Sequence, residues 1–415
     1  YQRVIHDLLD FEGIDMELLL PADDVSYGFD NIGGLLSVSP DLLDRYLSAA
    51  GRVSRLAVGD PAMGLGSASY SISKKLHQDD RMSEDLPFGS RGGTAIRHYF
   101  PYDGEYDIRV RFNGSARLPQ VVELRVDGER MAEWTTEGRS GLDPEEKGAV
   151  QARITVKAGP RVVGVSFVKQ TLEFETRFPQ YYPWGHSAVF GTTVGAADYV
   201  TVLNVDIGGP YQPQGLGDTP SRRRIFVCEP VSRQEEDPCA RKILAALARR
   251  AFRRPVTDAD VEPLMRFYRA ARDEQRDFNA ALQPAVERLL ADPDFLFRVE
   301  RDPVDGAFGV PYQIEDDALA SRLSFFLWSS IPDDELLEVA ERGELSNPAV
   351  LQQQVSRMLA DERAQALVTD FAAQWLYLRN VSMVTPDSFE FPDWDDDLRA
   401  AVVEETVRFL DSQLR

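Results

Sequence analysis

Hydrophobic positions change their period twice along the chain. Over the first sixty residues they recur at helical spacing, with Val4, Ile5, Leu8 and Leu9 on one face and Leu42, Leu43, Tyr46 and Leu47 on another. Ser39-Pro40 supplies a capping hydroxyl and a preset first turn for the second of these helices. From about Gly66 to Ile207 the period becomes two. Residues 106–112, 121–126, 152–156, 161–167 and 199–205 alternate inward and outward side chains, and Asp103-Gly104, Asp127-Gly128 and Gly159-Pro160 mark turns. The helical period then returns through Ile243, Leu244, Leu247 and Ala251, a capping box at 257–260, and the segments 279–290, 351–359 and 364–376. Trp328 and Trp375 fall within apolar helical runs and read as core residues. The prediction is an α+β multidomain chain: a helical N-terminal segment, an antiparallel β-sandwich, then an all-α region. Its expected bounds are 1–62 (helical), 63–207 (sandwich), 208–238 (linker with the cysteine pair), 239–303 (helical) and 312–415 (helical, incomplete at its end).

Composition narrows the function classes. The chain has 415 residues, 43% of them hydrophobic, which is ample for several cores. Its 68 acidic residues outnumber 46 basic ones for a net charge of −22, which excludes a nucleic-acid partner on electrostatic grounds. No run of 18 apolar residues occurs, so no transmembrane segment is expected. The start at Tyr1 reads as the inside of a helix rather than a signal peptide, as in a processed or partial chain. The two cysteines, Cys228 and Cys239, form no C-x-x-C or C-x-x-C-H pattern, and Pro230 and Pro238 bracket a polar turn between them. A disulfide or two free thiols are both open, and the first is preferred.

Candidate chemistry is sparse. His6, His77, His98 and His186 show no metal-ligand spacing, and Gly185-His-Ser-Ala-Val189 lacks the last glycine of a nucleophile elbow. Asp393, Asp395, Asp397 and Glu404 imitate a calcium loop, but Leu398 stands where the turn glycine belongs, and the acids read as a helix start. A calcium ion is better sought on Asp79, Asp80, Glu84 and Asp85, which crowd one polar loop. An aromatic insertion, 172–197, carries Tyr181, Tyr182 and Trp184; such rings suit either stacking on sugar faces or sealing a domain seam.

Three motifs carry a family resemblance. The stretch 319–345, with Leu327-Trp-Ser-Ser-Ile-Pro-Asp-Asp-Glu-Leu-Leu337 at its centre, resembles the signature of the planctomycete-type cytochrome c-associated family of tandem domains of unknown function. Leu247-Ala-Arg-Arg-Ala-Phe-Arg-Arg-Pro255 and the Gly28-Phe-Asp-Asn31 turn resemble further domains of the same family. The phrase 98–110 is similar to jelly-roll modules that bind carbohydrate, a likeness of fold that leaves function open. The family's chemistry is unassigned, so no reaction follows. The resemblance implies an extracytoplasmic (periplasmic or cell-surface) protein of a haem-c-associated, redox-linked system acting on or binding polysaccharide. Haem c would then sit on a segment outside these residues or on a partner c-type cytochrome or other subunit, because no covalent haem motif is present. The alternative is a non-catalytic scaffold or adhesion protein, its sandwich docking a glycan or a protein.

Overall fold

The computed structural model describes residues 1–14, 16, 19–21, 29, 39–59, 66–73, 76, 78, 80–113, 119–136, 149–169, 200–298, 311–387, 390–391 and 394–414. The chain divides into a helical unit, Tyr1–Met63 with Asp218–Arg379 and Thr406–Arg415, and a sandwich unit, Gly64–Gly217 with Asn380–Glu405.

Eight strands build the sandwich: β1 (Gly66–Ser71), β2 (Ser90–Phe100), β3 (Asp103–Asn113), β4 (Gln120–Val126), β5 (Glu129–Thr136), β6 (Ala149–Val156), β7 (Gly159–Val168) and β8 (Thr201–Gly215). They form two antiparallel sheets ordered β1-β8-β3-β6 and β2-β7-β4-β5. This is the jelly-roll order, in which every connection except β4-β5 passes from one sheet to the other. Tyr106, Ile108 and Val110 of β3 face Val122, Leu124, Val163, Val165 and Phe167 across a buried core. Asp127-Gly128 makes the β4-β5 turn with φ of 50° and 83°, the doubly left-handed turn that matches strand twist. Asp103-Gly104 and Gly159-Pro160 instead begin strands, and the turns fall just before them at Pro101-Tyr102 and Lys157-Ala158. The Asp103 carboxylate accepts from the Ala158 N–H at 2.8 Å and binds Lys157 at 2.8 Å, so this acid pins a turn from the neighbouring strand.

One side chain closes the sandwich where β2 bulges. At Gly93 φ is +90°, and an added Cβ would lie 1.9 Å from the Val165 carbonyl oxygen, so only glycine fits. The freed Gly93 N–H donates to Gln78 Oε1 at 3.1 Å, and the same amide accepts from Val202 N–H at 2.9 Å and donates to Val202 O at 2.8 Å. A buried glutamine thus mimics a strand residue between β2 and β8.

β8 runs on through residues 208–215, the start of the segment read as a linker. Its glycines and prolines are absorbed by irregular pairing with β3, by φ of 142° at Gly209 and by a cis peptide before Pro210.

The helices are α1 (Gln2–Leu9), α2 (Pro40–Val58), α3 (Pro220–Ile225), α4 (Arg233–Phe252), α5 (Asp258–Asp273), α6 (Phe278–Leu290), α7 (Pro293–Leu296), α8 (Asp316–Trp328), α9 (Asp334–Glu341), α10 (Pro348–Ala360) and α11 (Asp396–Leu414). Ser39 Oγ caps α2 through the Leu42 N–H, and Thr257 with Asp260 forms the capping box of α5. The buried side of α2 is Ala49, Ala50, Val53, Leu56, Ala57 and Val58, while Leu43 and Leu47 are exposed. The helix continues past the predicted face, and small residues there permit close approach to α6, where Gln283 donates to Ser54 Oγ at 3.0 Å. Asp395 caps α11 by accepting from the Leu398 N–H at 2.8 Å, which is the helix-start reading of that acidic run.

Trp375 corrects the expectation that both indoles are core. Trp328 is 1% exposed and donates its N–H to the Met358 carbonyl at 2.9 Å, whereas Trp375 is 60% exposed. Trp375 follows a π-helical turn, Leu367–Ala372, whose wider winding displaces the helical face that the spacing predicted. Its ring stacks on Phe371 with centroids 6.4 Å apart.

Candidate functional site

The helical unit explains the sequence motifs first. Arg250 of α4 forks onto Asp334 at 2.7 and 3.0 Å, and Arg249 reaches Asp334 at 3.1 Å and Glu341 at 2.6 Å. Both acids belong to α9. One turn on, Arg253 ends α4 with φ of 59° and gives its guanidinium to four backbone carbonyls: Ala251, Asp294, Phe295 and Phe297. Burial lowers the Arg253 pKa to about 10, with the Arg298 charge adding to the effect. Arg254 binds Asp260 and Asp294 at 2.9 and 2.7 Å. The four arginines of the second motif therefore bind the other helical segments pairwise.

The signature motif is organised around Trp328. The Arg363 guanidinium lies 3.6 Å from the ring centroid and that of Arg357 5.7 Å away. Asp333 takes Arg357 in a fork at 2.6 and 3.0 Å, takes Arg363 at 3.4 Å, and caps α9 through the Leu336 N–H at 3.0 Å. Burial alone would raise the Asp333 pKa, but the Arg357 bond, the Leu336 N–H and the charges of Arg357 and Arg363 hold it below the ordinary carboxylate value. Beside it is a cavity of about 30 Å³ lined by Asp7, Arg224, Arg250, Ile331, Pro332, Asp333, Asp334 and Arg363. Arg224 Nε is buried there with no acceptor among the described residues, and burial, then the Arg250 charge, lower its pKa. This volume suits a single water-sized group. The motif's acids and arginines are engaged with one another, which is an arrangement for holding segments together.

The sandwich presents a different surface. Because Tyr106, Ile108 and Val110 point inward, Asp107, Arg109 and Arg111 of β3 point outward. Cross-strand register places Arg109 opposite Asp206 and Gln151, Arg111 opposite Asn204, and Asp107 opposite Arg153; β1 adds Ser69 beside Asp206 and Ser71 beside Asn204. Arg111 donates to Asn204 Oδ1 at 3.0 Å and pairs with Asp206 at 3.2 Å. Asn204 passes the contact on to Ser69 Oγ at 2.9 Å. Arg153 forks onto Asp107 at 2.7 Å through both nitrogens and lies 4.3 Å over the Tyr211 ring. The Arg153 hydrogen bond, and a weaker one from Tyr211, keep the Asp107 pKa below its ordinary value. The result is a continuous four-strand face of hydroxyl, amide, carboxylate, guanidinium and one tyrosine ring. Sequence reading missed it, although the outward phase of Tyr106-Asp-Ile-Arg-Val-Arg111 was its signal.

Of the residues nominated from sequence, Cys228 and Cys239 are bonded, with Cα atoms 6.0 Å apart, tying the segment after α3 to α4. Tyr181, Tyr182, Trp184 and Asp79 lie outside the described residues. In the acidic loop, Asp80 accepts the Gly92 N–H through its backbone carbonyl at 2.7 Å, and Arg81 donates to the carbonyls of Leu86 (2.8 Å) and Glu84. The Arg81 guanidinium thus occupies two of the loop's carbonyl oxygens. Among the described residues no three His, Cys, Asp or Glu side chains converge as a metal site, and no helix is long and apolar enough to cross a membrane.

A jelly roll flanked in sequence by helical segments with these motifs defines a chain of tandem domains. Three family models of proteins of unknown function match it in succession: DUF1587 over residues 1–59, DUF1595 over 239–300 and DUF1592 over 314–415, together more than half of the chain. The chain belongs to the planctomycete-type cytochrome c-associated family built from these domains. No curated protein matches it.

Proposed function

We propose that this chain is the polysaccharide-binding and assembling component of an extracytoplasmic, haem-c-associated system. The outer face of the β1-β8-β3-β6 sheet carries the reading. Sugar hydroxyls need paired donors and acceptors at fixed spacing with a ring to stack on, and this face offers Ser69, Asp206, Arg111, Gln151 and Tyr211 on rigid strands rather than loops. The disulfide supports an oxidising compartment. Family membership supports the cytochrome link, with haem c held elsewhere than on these residues.

Affinity electrophoresis of the whole chain in gels containing plant and algal polysaccharides tests the reading. Retardation on at least one glycan is expected, and Arg111→Ala combined with Tyr211→Ala should abolish it while far-UV circular dichroism stays unchanged. Retardation that survives the double substitution overturns the assignment to this face.

A further inference from the structure

We infer that the sandwich face takes an acidic glycan, and that Arg109 receives the carboxylate of a uronate unit. The inference rests on the polysaccharide reading above and adds the class of sugar. Arg109 is exposed at the middle of the face, between Asp206 on β8 and Gln151 on β6. The neighbouring charges are already matched: Asp206 to Arg111 at 3.2 Å, and Asp107 to Arg153 at 2.7 Å. Among the described residues Arg109 has neither a hydrogen bond nor an ion pair. Glu105 lies on the same side of β3 and acts on Arg153, so the face carries three guanidinium groups and three carboxylates, and Arg109 is the guanidinium left without a bonded acceptor among the described residues.

A guanidinium is a planar fork of five donors that matches a carboxylate in two parallel bonds. On a pleated strand its Cα–Cβ bond points to the outer face, so the guanidinium is presented outward among groups suited to hydroxyls. A neutral sugar would leave that fork facing no acceptor of matching charge, and a uronate carboxylate fills it. The adjacent Asp206 does not compete, because Arg111 holds it.

The test compares the full chain with its R109Q and R109K variants in affinity electrophoresis on polygalacturonate, highly methyl-esterified polygalacturonate, dextran sulfate and a neutral mannan, at two salt concentrations. The expected result is preference for polygalacturonate over its methyl ester, weakened by salt. R109Q should lose about tenfold in affinity for polygalacturonate, the scale of one charge-assisted hydrogen bond, with an unchanged melting temperature. R109K should recover only part of the loss. Equal binding of the acid and its ester, or an unaffected R109Q, overturns the acidic-sugar inference while leaving the polysaccharide reading in place. Preference for dextran sulfate overturns the carboxylate assignment. Failure to bind any of the four polymers or the wider plant and algal panel overturns both readings.

Discussion

Asp333 offers the sharpest test of how the signature motif works, because two substitutions separate its two roles. Asp333→Asn keeps an oxygen for the Leu336 N–H, and asparagine is a good N-cap, but it removes the charge that holds Arg357 and Arg363 against Trp328. Asp333→Ala removes both. The cap contributes about 1 kcal/mol. The Arg357 fork is partly solvated, with side-chain exposures of 27% and 23% for the two partners, so it is discounted to about 1–2 kcal/mol. Expected losses are therefore about 1–2 kcal/mol for Asp333→Asn and about 2–3 kcal/mol for Asp333→Ala. Urea unfolding gives the totals, and amide hydrogen exchange on residues 334–341 locates the difference, since a lost cap frays α9 from its first turn. Equal exchange of α9 in the two variants would refute the cap. A loss below about 0.5 kcal/mol for Asp333→Ala would refute the network altogether. The pH dependence has a defined sign: a folded pKa held below the unfolded value gives stability that is present above the unfolded value and is lost as pH falls through the depressed one.

Trp375→Ala should change stability by less than about 1 kcal/mol, and Trp328→Ala should cost about 3–5 kcal/mol; thermal melts of both distinguish an exposed stacked ring from a buried one. Thiol titration of denatured, unreduced protein should find no free cysteine, and Cys228→Ser with Cys239→Ser should lower stability by about 2–3 kcal/mol for so short a loop. His98 meets the Tyr70 hydroxyl at 2.7 Å, and burial lowers its pKa to about 4 from an ordinary 6.5. Sandwich stability should then be level above pH 6.5 and fall by at most about 3 kcal/mol as pH drops toward 4, a loss that His98→Gln should remove in pH-dependent urea titrations.

The strands β3, β4 and β7 are legible in the sequence because large apolar residues alternate with polar or small ones along each, a period of two that survives even where the outward Glu123 and Ser166 are themselves covered. β1 and β5 are not. Both are edge strands: in β1 three serines alternate with Gly66, Ala68 and Tyr70, of which only the tyrosine is large enough to mark a core face, and in β5 Glu-Arg-Met-Ala-Glu-Trp-Thr-Thr carries polar residues on both faces. β2 hid behind Gly92-Gly93, whose bulge reads as a turn until Gln78 is seen beside it. The sandwich face escaped notice for a related reason. Its chemistry comes from cross-strand partners such as Arg111 and Asn204, 93 positions apart, and no local window contains both. The start of the linker, 208–215, reads as a break because proline and glycine interrupt most strands, whereas β8 uses them to bend alongside β3.

The arginine pairs at the end of α4 also bear on how the helical unit can be divided. Arg249 and Arg250 belong to the DUF1595 stretch and find their acids in the DUF1592 stretch, while Arg224, between the matched stretches, donates to the Asp7 carbonyl in the DUF1587 stretch. The borders drawn by sequence similarity therefore cut through ion pairs. A fragment ending near residue 300 would carry two guanidinium groups made for a partner it had lost, so excision by sequence borders exposes paired charges that the helical unit as a whole keeps satisfied.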